Sequence, residues 1–448
     1  MKFQYSATLL YLSLATAGLA TAQTLQCPQN IQGQASQMIM SNIVRSQGAA
    51  ASSSGTGLIE LGIFYQALRQ AIAATNDTTN KQEWTAYLHN STASAVPLFT
   101  NANSSAQLPL DRFSIGTEMI RQSQEMSGEN LETAIRTLKD SLHQQPRNAD
   151  GGLWYYNNPK NLTAYQNLSY ADGMYSYPTF AILSAGNGTQ QSDVFGPAAV
   201  LKQLEILEAI CNDGTSLLVH GYDALKAHAW ANPETGASPS VWGRSLAWYT
   251  LGVVEALDTL QSMPQVFNTL ADRIAYTDMR LLFESLIRAQ IVALERATAI
   301  NGNYGAWQVV DLPGASIENT QNFIETSASL MTAYSLLKSV RLELITSAHL
   351  RNRAIRAGLG LWENILRTQV TRTPNGTLNL GGTSSIATLS VQNVNAQVKT
   401  HPRRDPEHNV FANECFCSAY FSRPTVNNSL IGTSAFVLAS LEVERLCA

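Results

Sequence analysis

The sequence predicts an all-α toroid of paired helices. Apolar residues recur at three- and four-residue spacing over many segments, the period of an amphipathic helix. Gly, Pro and Asn clusters punctuate those segments. Strand signals are few and short. Along the chain, Ile59, Ile63, Leu68 and Ile72 fall near one face of a helix at about 57–74. Met119 marks a second helix, and Leu131, Ile135, Leu138 and Leu142 a third. Segments 193–211, 244–261, 267–297, 323–340, 348–368 and 430–446 show the same period. The breakers are Gly151-Gly152, Gly186, Asn212-Asp213-Gly214, Pro264, Gly302, Pro313-Gly314 and Pro374-Asn375-Gly376. Leu217-Leu218-Val219 and Leu378-Asn379-Leu380 read as short strands. A large bundle and an α-solenoid are the alternatives. The absence of a fixed-period repeat argues against the solenoid.

The chain has 448 residues, 45% of them hydrophobic, enough for a large core and incompatible with disorder. Only 14% are charged and the formal net charge is −4. Such a surface has no electrostatic means of gripping nucleic acid or an anionic membrane. No linker divides the chain, so one domain is expected over 23–448.

Lys2, an apolar stretch from about Ala7 to Ala20, and Ala20-Thr21-Ala22 read as a secretory signal peptide over 1–22. The apolar stretch is shorter than a membrane span requires. N-glycosylation sequons begin at Asn76, Asn90, Asn103, Asn161, Asn167, Asn187, Asn375 and Asn427, so N-glycans and a secreted, extracellular location are expected. The five cysteines are Cys27, Cys211, Cys415, Cys417 and Cys447. One or two disulfides are expected in an oxidising compartment, and Cys27 with Cys447 would tie the termini. Cys415-Phe416-Cys417 follows His401 and His408, but the spacing fits no standard zinc module. No metal and no cofactor are expected.

Three segments carry the candidate chemistry. The densest runs from His220-Gly221-Tyr222-Asp223 through Trp230, Ser238-Pro239 and Trp242-Gly243-Arg244 to Trp248-Tyr249. A helix starting after Gly243 puts Arg244 and Trp248 one turn apart on one face. An Arg fork beside indole rings suits a sugar acid, the guanidinium holding a carboxylate and the rings stacking on the pyranose. Core tryptophans and a surface arginine are the bland reading. The second segment holds Trp154-Tyr155-Tyr156 and Tyr170-Ala171-Asp172-Gly173-Met174-Tyr175. Asp172 is a lone carboxylate among aromatic and small residues, surroundings that raise a pKa and suit a general acid. Its bland reading is a helix N-cap. The third is Leu110-Asp111-Arg112-Phe113, where capping is again the bland reading of Asp111.

In order and spacing these segments resemble the unsaturated glycuronyl hydrolases: the unsaturated rhamnogalacturonyl hydrolases and their sister unsaturated glucuronyl hydrolases. The resemblance runs from about Ser41 to Leu446 and is most specific from His220 to Trp248. Trp307-Gln308-Val309-Val310-Asp311, Glu325-Thr326-Ser327-Ala328-Ser329 and Gly432-Thr433-Ser434-Ala435-Phe436 match later motifs. The resemblance implies six helical hairpins in an (α/α)6 barrel. It implies that Asp172 is the general acid/base and Asp111 the assisting carboxylate. It implies substrate-binding roles for His220, Trp242, Arg244 and Trp248. Some bacterial relatives carry a basic residue just after the aromatic pair, where this chain has Tyr156, a further substrate-binding candidate. The region from Thr371 to Pro406 matches poorly.

The implied substrate is an oligosaccharide left by a polysaccharide lyase, of pectin or rhamnogalacturonan type. Its non-reducing end is a uronic acid with a C4=C5 double bond. One rival is an ordinary glycosidase on the same barrel, such as an α-mannanase, for which adjacent paired aspartates are expected; the chain has no Asp-Asp dipeptide. The other is a secreted, non-catalytic carbohydrate-binding protein.

Overall fold

The computed structural model describes residues 27–447 except 52–55, 127, 158–164, 187–191, 264, 266, 268, 318, 388 and 390–418. The expected signal peptide over 1–22, Cys415, Cys417, His401, His408 and the sequons at Asn161 and Asn187 lie outside the described residues.

Twelve helices of eleven residues or more are found among the described residues. In chain order they are α1 (Gln34–Val44), α2 (Gly57–Ala74), α3 (Thr78–Ala95), α4 (Arg112–Glu125), α5 (Glu129–His143) and α6 (Gly173–Ala185). Then come α7 (Pro197–Cys211), α8 (Gly243–Ser262), α9 (Leu270–Asn301), α10 (Thr326–Arg341), α11 (Ala348–Gln369) and α12 (Leu430–Leu446). The even-numbered helices form the inner ring. Each packs on the next, α2 on α4, α4 on α6, α6 on α8, α8 on α10, α10 on α12, and α12 closes on α2. The odd-numbered helices lie outside and complete six hairpins. This is the (α/α)6 barrel, and the closed ring excludes both the solenoid and the open bundle.

Five hairpins are contiguous in sequence. The sixth pairs α12 with α1 from the opposite end of the chain, and the Cys27–Cys447 disulfide ties these ends together. Cys211 is a buried free thiol.

Local sequence explains most helix boundaries. Thr269 and Asp272 form a capping box at the start of α9, and Gly302 ends that helix in the left-handed conformation. Pro197 opens α7 at its first turn. Three helices lay outside the sequence reading. In α6 all thirteen residues are buried, so there is no polar face to set a period against. Helix α3 is mostly polar, with only Trp84, Leu88, Ser91, Thr92 and Ala95 buried. Helix α1 is a short outer element. Leu378–Leu380 is a strand, paired with Val370–Arg372. Leu217–Val219 makes only an isolated bridge, Leu218 to Asn212.

Inner helices approach closely where the sequence allows. A Cβ on Gly252 of α8 would stand 1.7 Å from the Met174 carbonyl oxygen of α6, so only glycine fits. Among the described residues no helix is long and apolar enough to cross a membrane. The sequon residues Asn76, Asn90, Asn103, Asn375 and Asn427 are exposed, and Asn167 is half-buried.

Candidate active site

Each inner helix follows an antiparallel outer one, so all six begin at the same end of the barrel. Their N-cap residues are Thr56, Asp111, Asp172, Trp242, Glu325 and Ser429. This rim collects six positive dipole ends, which favour anionic groups there. Most of the residues singled out in the sequence gather on it.

Asp111 and Asp172 hold N-cap positions on neighbouring helices, yet neither side chain makes a capping hydrogen bond. Both carboxyls are thereby free for other work. Asp111 is only 3% exposed. The Tyr155 hydroxyl donates to its Oδ2 at 2.7 Å, and its Oδ1 is buried without a partner among the described residues. Burial pushes its pKa up to about 7, against the opposing Tyr155 hydrogen bond; the nearby Asp172 charge raises it further and Arg112 lowers it. Arg112 is itself buried and places its five donors on Ser141, Leu108, Pro109 and Gln145, clamping this turn to α5.

Asp172 is less enclosed, its side chain 14% exposed. Its Oδ2 accepts a short hydrogen bond from the Ser245 hydroxyl on α8 and faces His220 Nε2 at 3.4 Å. A two-stranded sheet sets this register. Strand β1 (Leu168–Tyr170) ends just before Asp172, and β2 (Gly221–Asp223) starts just after His220. Tyr170 pairs with Gly221, where a Cβ would stand 2.4 Å from the Ser169 carbonyl oxygen. The Ala171 amide donates to the His220 carbonyl. Leu110 donates to the Tyr155 carbonyl and Tyr155 to that of Leu168, so the Asp111 turn is stitched to the same sheet.

His220 is buried between the Tyr170 and Trp242 rings, with centroids 5.1 and 4.5 Å away, and its Nδ1 lies 2.8 Å from the Tyr420 hydroxyl. Tyr156 packs edge-on against Tyr155 and Tyr165 and is close enough to Asp111 to feel its charge. Asp223 of the same motif is not part of this group: it binds the backbone of Leu225, Ala227 and His228 and the His228 ring, which hold its carboxyl below the usual range despite burial.

Arg244 stands 5.4 Å above the Trp242 ring. Its guanidinium donates to Glu325 Oε1 at 2.8 Å and to the Ser384 carbonyl, while Nε is buried without a protein partner. Glu325 is fully buried and also accepts from Ser327, Ala328 and Ser384. Arg244 is thus a neutralised ion pair at the edge of a cleft of about 550 Å³, lined with Thr56, Glu60, Ser384, Ile386 and Asn427. Trp248 is not at the rim. It is 1% exposed and packs on Tyr175, 4.6 Å between ring centroids, within the core.

Sequence reasoning assigned no role to Glu325, Gln308 or Tyr420. Gln308 is buried and donates to the Ser384 hydroxyl and the Tyr420 carbonyl, joining the C-terminal segment to the rim. The motifs around Gln308 and Glu325 were visible; their partners are far away in sequence. Among the described residues no group of three or more His, Cys, Asp or Glu is placed to hold a metal ion.

The burial of Asp111 has a measurable consequence. Its folded pKa lies above the ordinary value of 3.8, so the folded state binds more protons between about pH 4 and 7. Stability therefore falls as pH rises through that window, by about 4 kcal/mol in all. Asp111→Asn removes the titration. Denaturant unfolding at pH 4 and pH 8 should show wild type losing stability relative to this variant on going to the higher pH. Parallel curves would mean that Asp111 titrates normally.

The profile of Glycosyl Hydrolase Family 88 matches residues 59–447. Protein Atu3128 of Agrobacterium fabrum is 32% identical over 190 residues, 42% of this chain and 72% of that protein. A glycoside hydrolase from family 105 of C. acetobutylicum superposes with a TM-score of 0.69 at 21% identity, covering 92% of this chain and all of the other. The unsaturated glucuronyl hydrolase of Bacillus sp. GL1 gives 0.60 at 14% identity, covering 93% and 97%. The two structures share the fold, and the profile match spans the barrel from α2 to α12: the chain belongs to glycoside hydrolase family 88.

Proposed function

We propose that this glycoside hydrolase removes a 4,5-unsaturated uronic acid from the non-reducing end of lyase-generated oligosaccharides of pectin or rhamnogalacturonan type, by hydrating the C4=C5 bond. The observation that carries the reading is the pair Asp111 and Asp172. They are N-cap aspartates of adjacent inner helices whose side chains make no cap hydrogen bond and lie near enough for the Asp172 charge to act on Asp111. The double bond is a vinyl ether, and its C4 is more easily protonated than an ordinary glycosidic oxygen. Asp172 donates its proton to C4, and water adds at C5 while giving one proton back to the Asp172 carboxylate. The resulting hemiketal opens and expels the rest of the chain. Asp111, deeper and aligned by Tyr155, positions the ring. The helix dipole ends favour the uronate carboxylate, and Trp242, Tyr156 and Arg244 border the sugar. The signal peptide and sequons support a secreted, N-glycosylated protein.

Isotopes test the reaction. In heavy water, hydration places deuterium on C4; in ¹⁸O-water the label enters at C5, and the absorbance of the conjugated uronate disappears. An ordinary glycosidase such as an α-mannanase would put ¹⁸O at the anomeric carbon and leave C4 unlabelled. A non-catalytic binding protein would do neither. Label at C1 with no deuterium at C4 refutes the hydration mechanism.

A further inference from the structure

His220 has a polar neighbour at each ring nitrogen. Nδ1 meets the Tyr420 hydroxyl at 2.8 Å, and Nε2 meets Asp172 Oδ2 at 3.4 Å. A neutral imidazole has one N–H and one bare nitrogen, and the partner of one nitrogen selects the state of the other. Tyr420 lies 200 residues away, beyond the poorly matching stretch from Thr371 to Pro406. It is buried; its backbone carbonyl is held by Gln308, and its ring lies 6.0 Å from both the His220 and Trp242 rings.

We infer that Tyr420 is a positioning residue that donates its hydroxyl proton to Nδ1 of His220, fixing the tautomer whose Nε2–H points at Asp172. The inference rests on the proposed role of Asp172 as the proton donor. When Asp172 gives up its proton, the carboxylate left behind is met by two donors, Ser245 Oγ–H and His220 Nε2–H. The opposite tautomer would turn a bare nitrogen toward that carboxylate and destabilise it. The 3.4 Å separation is long for a hydrogen bond, as such contacts often are before substrate binds.

Other groups face this chain. Asp111 approaches from the start of α4, where the Asp172 charge acts on its carboxyl. Tyr155 and Tyr170 approach Asp172 from the segment before α6. On the α8 side, Arg244 stands over Trp242 but is committed to Glu325. None of them touches Nδ1 in the contacts seen, so Tyr420→Phe addresses the tautomer while keeping the ring.

As the proton donor of the proposed reaction, Asp172 enters the cycle as the acid and leaves it as the carboxylate that Ser245 and His220 face. In Tyr420→Phe, kcat on an unsaturated disaccharide should fall about tenfold, with KM changed less than about twofold. A purely structural role would lower the active fraction and leave the His220 tautomer as it is in wild type. The tautomer is read independently by ¹⁵N NMR of histidine-labelled wild-type protein, with His220→Asn used to assign the signals. Nε2 protonated and Nδ1 bare in wild type, with a mixture in Tyr420→Phe, is the expected result. A wild-type His220 protonated at Nδ1, or a Tyr420→Phe protein whose His220 keeps the wild-type tautomer, overturns the inference. If the disaccharide is not hydrated at all, the proposed reaction fails, while the NMR still decides the tautomer.

Discussion

Asp172→Asn should reduce turnover of an unsaturated uronyl disaccharide by about 10²–10⁴-fold, the range for loss of a general acid, with the fold intact. The substitution keeps the shape and an oxygen to accept from Ser245, but has no carboxylic proton to give. The partial exposure of Asp172 limits the cost of the amide to the structure. Substrate binding should survive, so the loss should appear in kcat while KM changes little. Unfolding curves superposable on wild type, together with the lost rate, would place the effect in the chemistry. A variant with near-wild-type kcat would remove Asp172 from the mechanism and leave Asp111 as the proton donor, since burial has already raised its pKa to about 7.

Glu325→Ala should be the most destabilising substitution at the rim. Arg244 and Glu325 are almost entirely buried and paired at 2.8 Å. Removing one partner of such a pair strands the other charge and costs about 3–5 kcal/mol. Glu325 also accepts from the Ala328 and Ser384 amides, so its loss frees the start of α10 and the Ser384 segment together. The double variant Glu325→Ala with Arg244→Met should recover part of the loss, because no charge remains unpaired. Denaturant unfolding of the two single variants and the double measures the coupling. Additive effects would show that the pair is not coupled. Glu325→Gln, which keeps an acceptor oxygen without the charge, should fall between wild type and Glu325→Ala.

The outcome at Arg244 shows how far a local reading goes. An arginine four residues before a tryptophan at a helix start suggested a substrate fork with a stacking indole. In the structure the guanidinium is committed to Glu325, 81 residues away, and to the Ser384 carbonyl. Trp248 has its ring in the core. The spacing placed both residues on one helix face correctly, but a face that slopes from rim to interior changes its surroundings within one turn.

Helix spans were legible because amphipathic periodicity depends on residues three and four apart. The stretches 57–74 and 430–446 coincide with α2 and α12. Legibility failed where that contrast vanishes, in α6 with apolar neighbours all round and in α3 with hardly any. The two aspartates were legible as positions before helices, and family resemblance gave them roles. That their side chains abandon the caps depends on contacts absent from their own segments: Tyr155 holding Asp111, and Ser245 and His220 facing Asp172. The sequence by itself determined most of the helices, their breakers and the small residues that let β1 meet β2 and α6 meet α8. Tertiary structure alone decided that six helix starts share one rim, that α12 returns to α1, and that Tyr420 reaches His220. The physical reason is range. Backbone hydrogen bonding and side-chain periodicity act within a few residues, whereas the partners of a buried charge or ring nitrogen are fixed only once the ring of helices has closed.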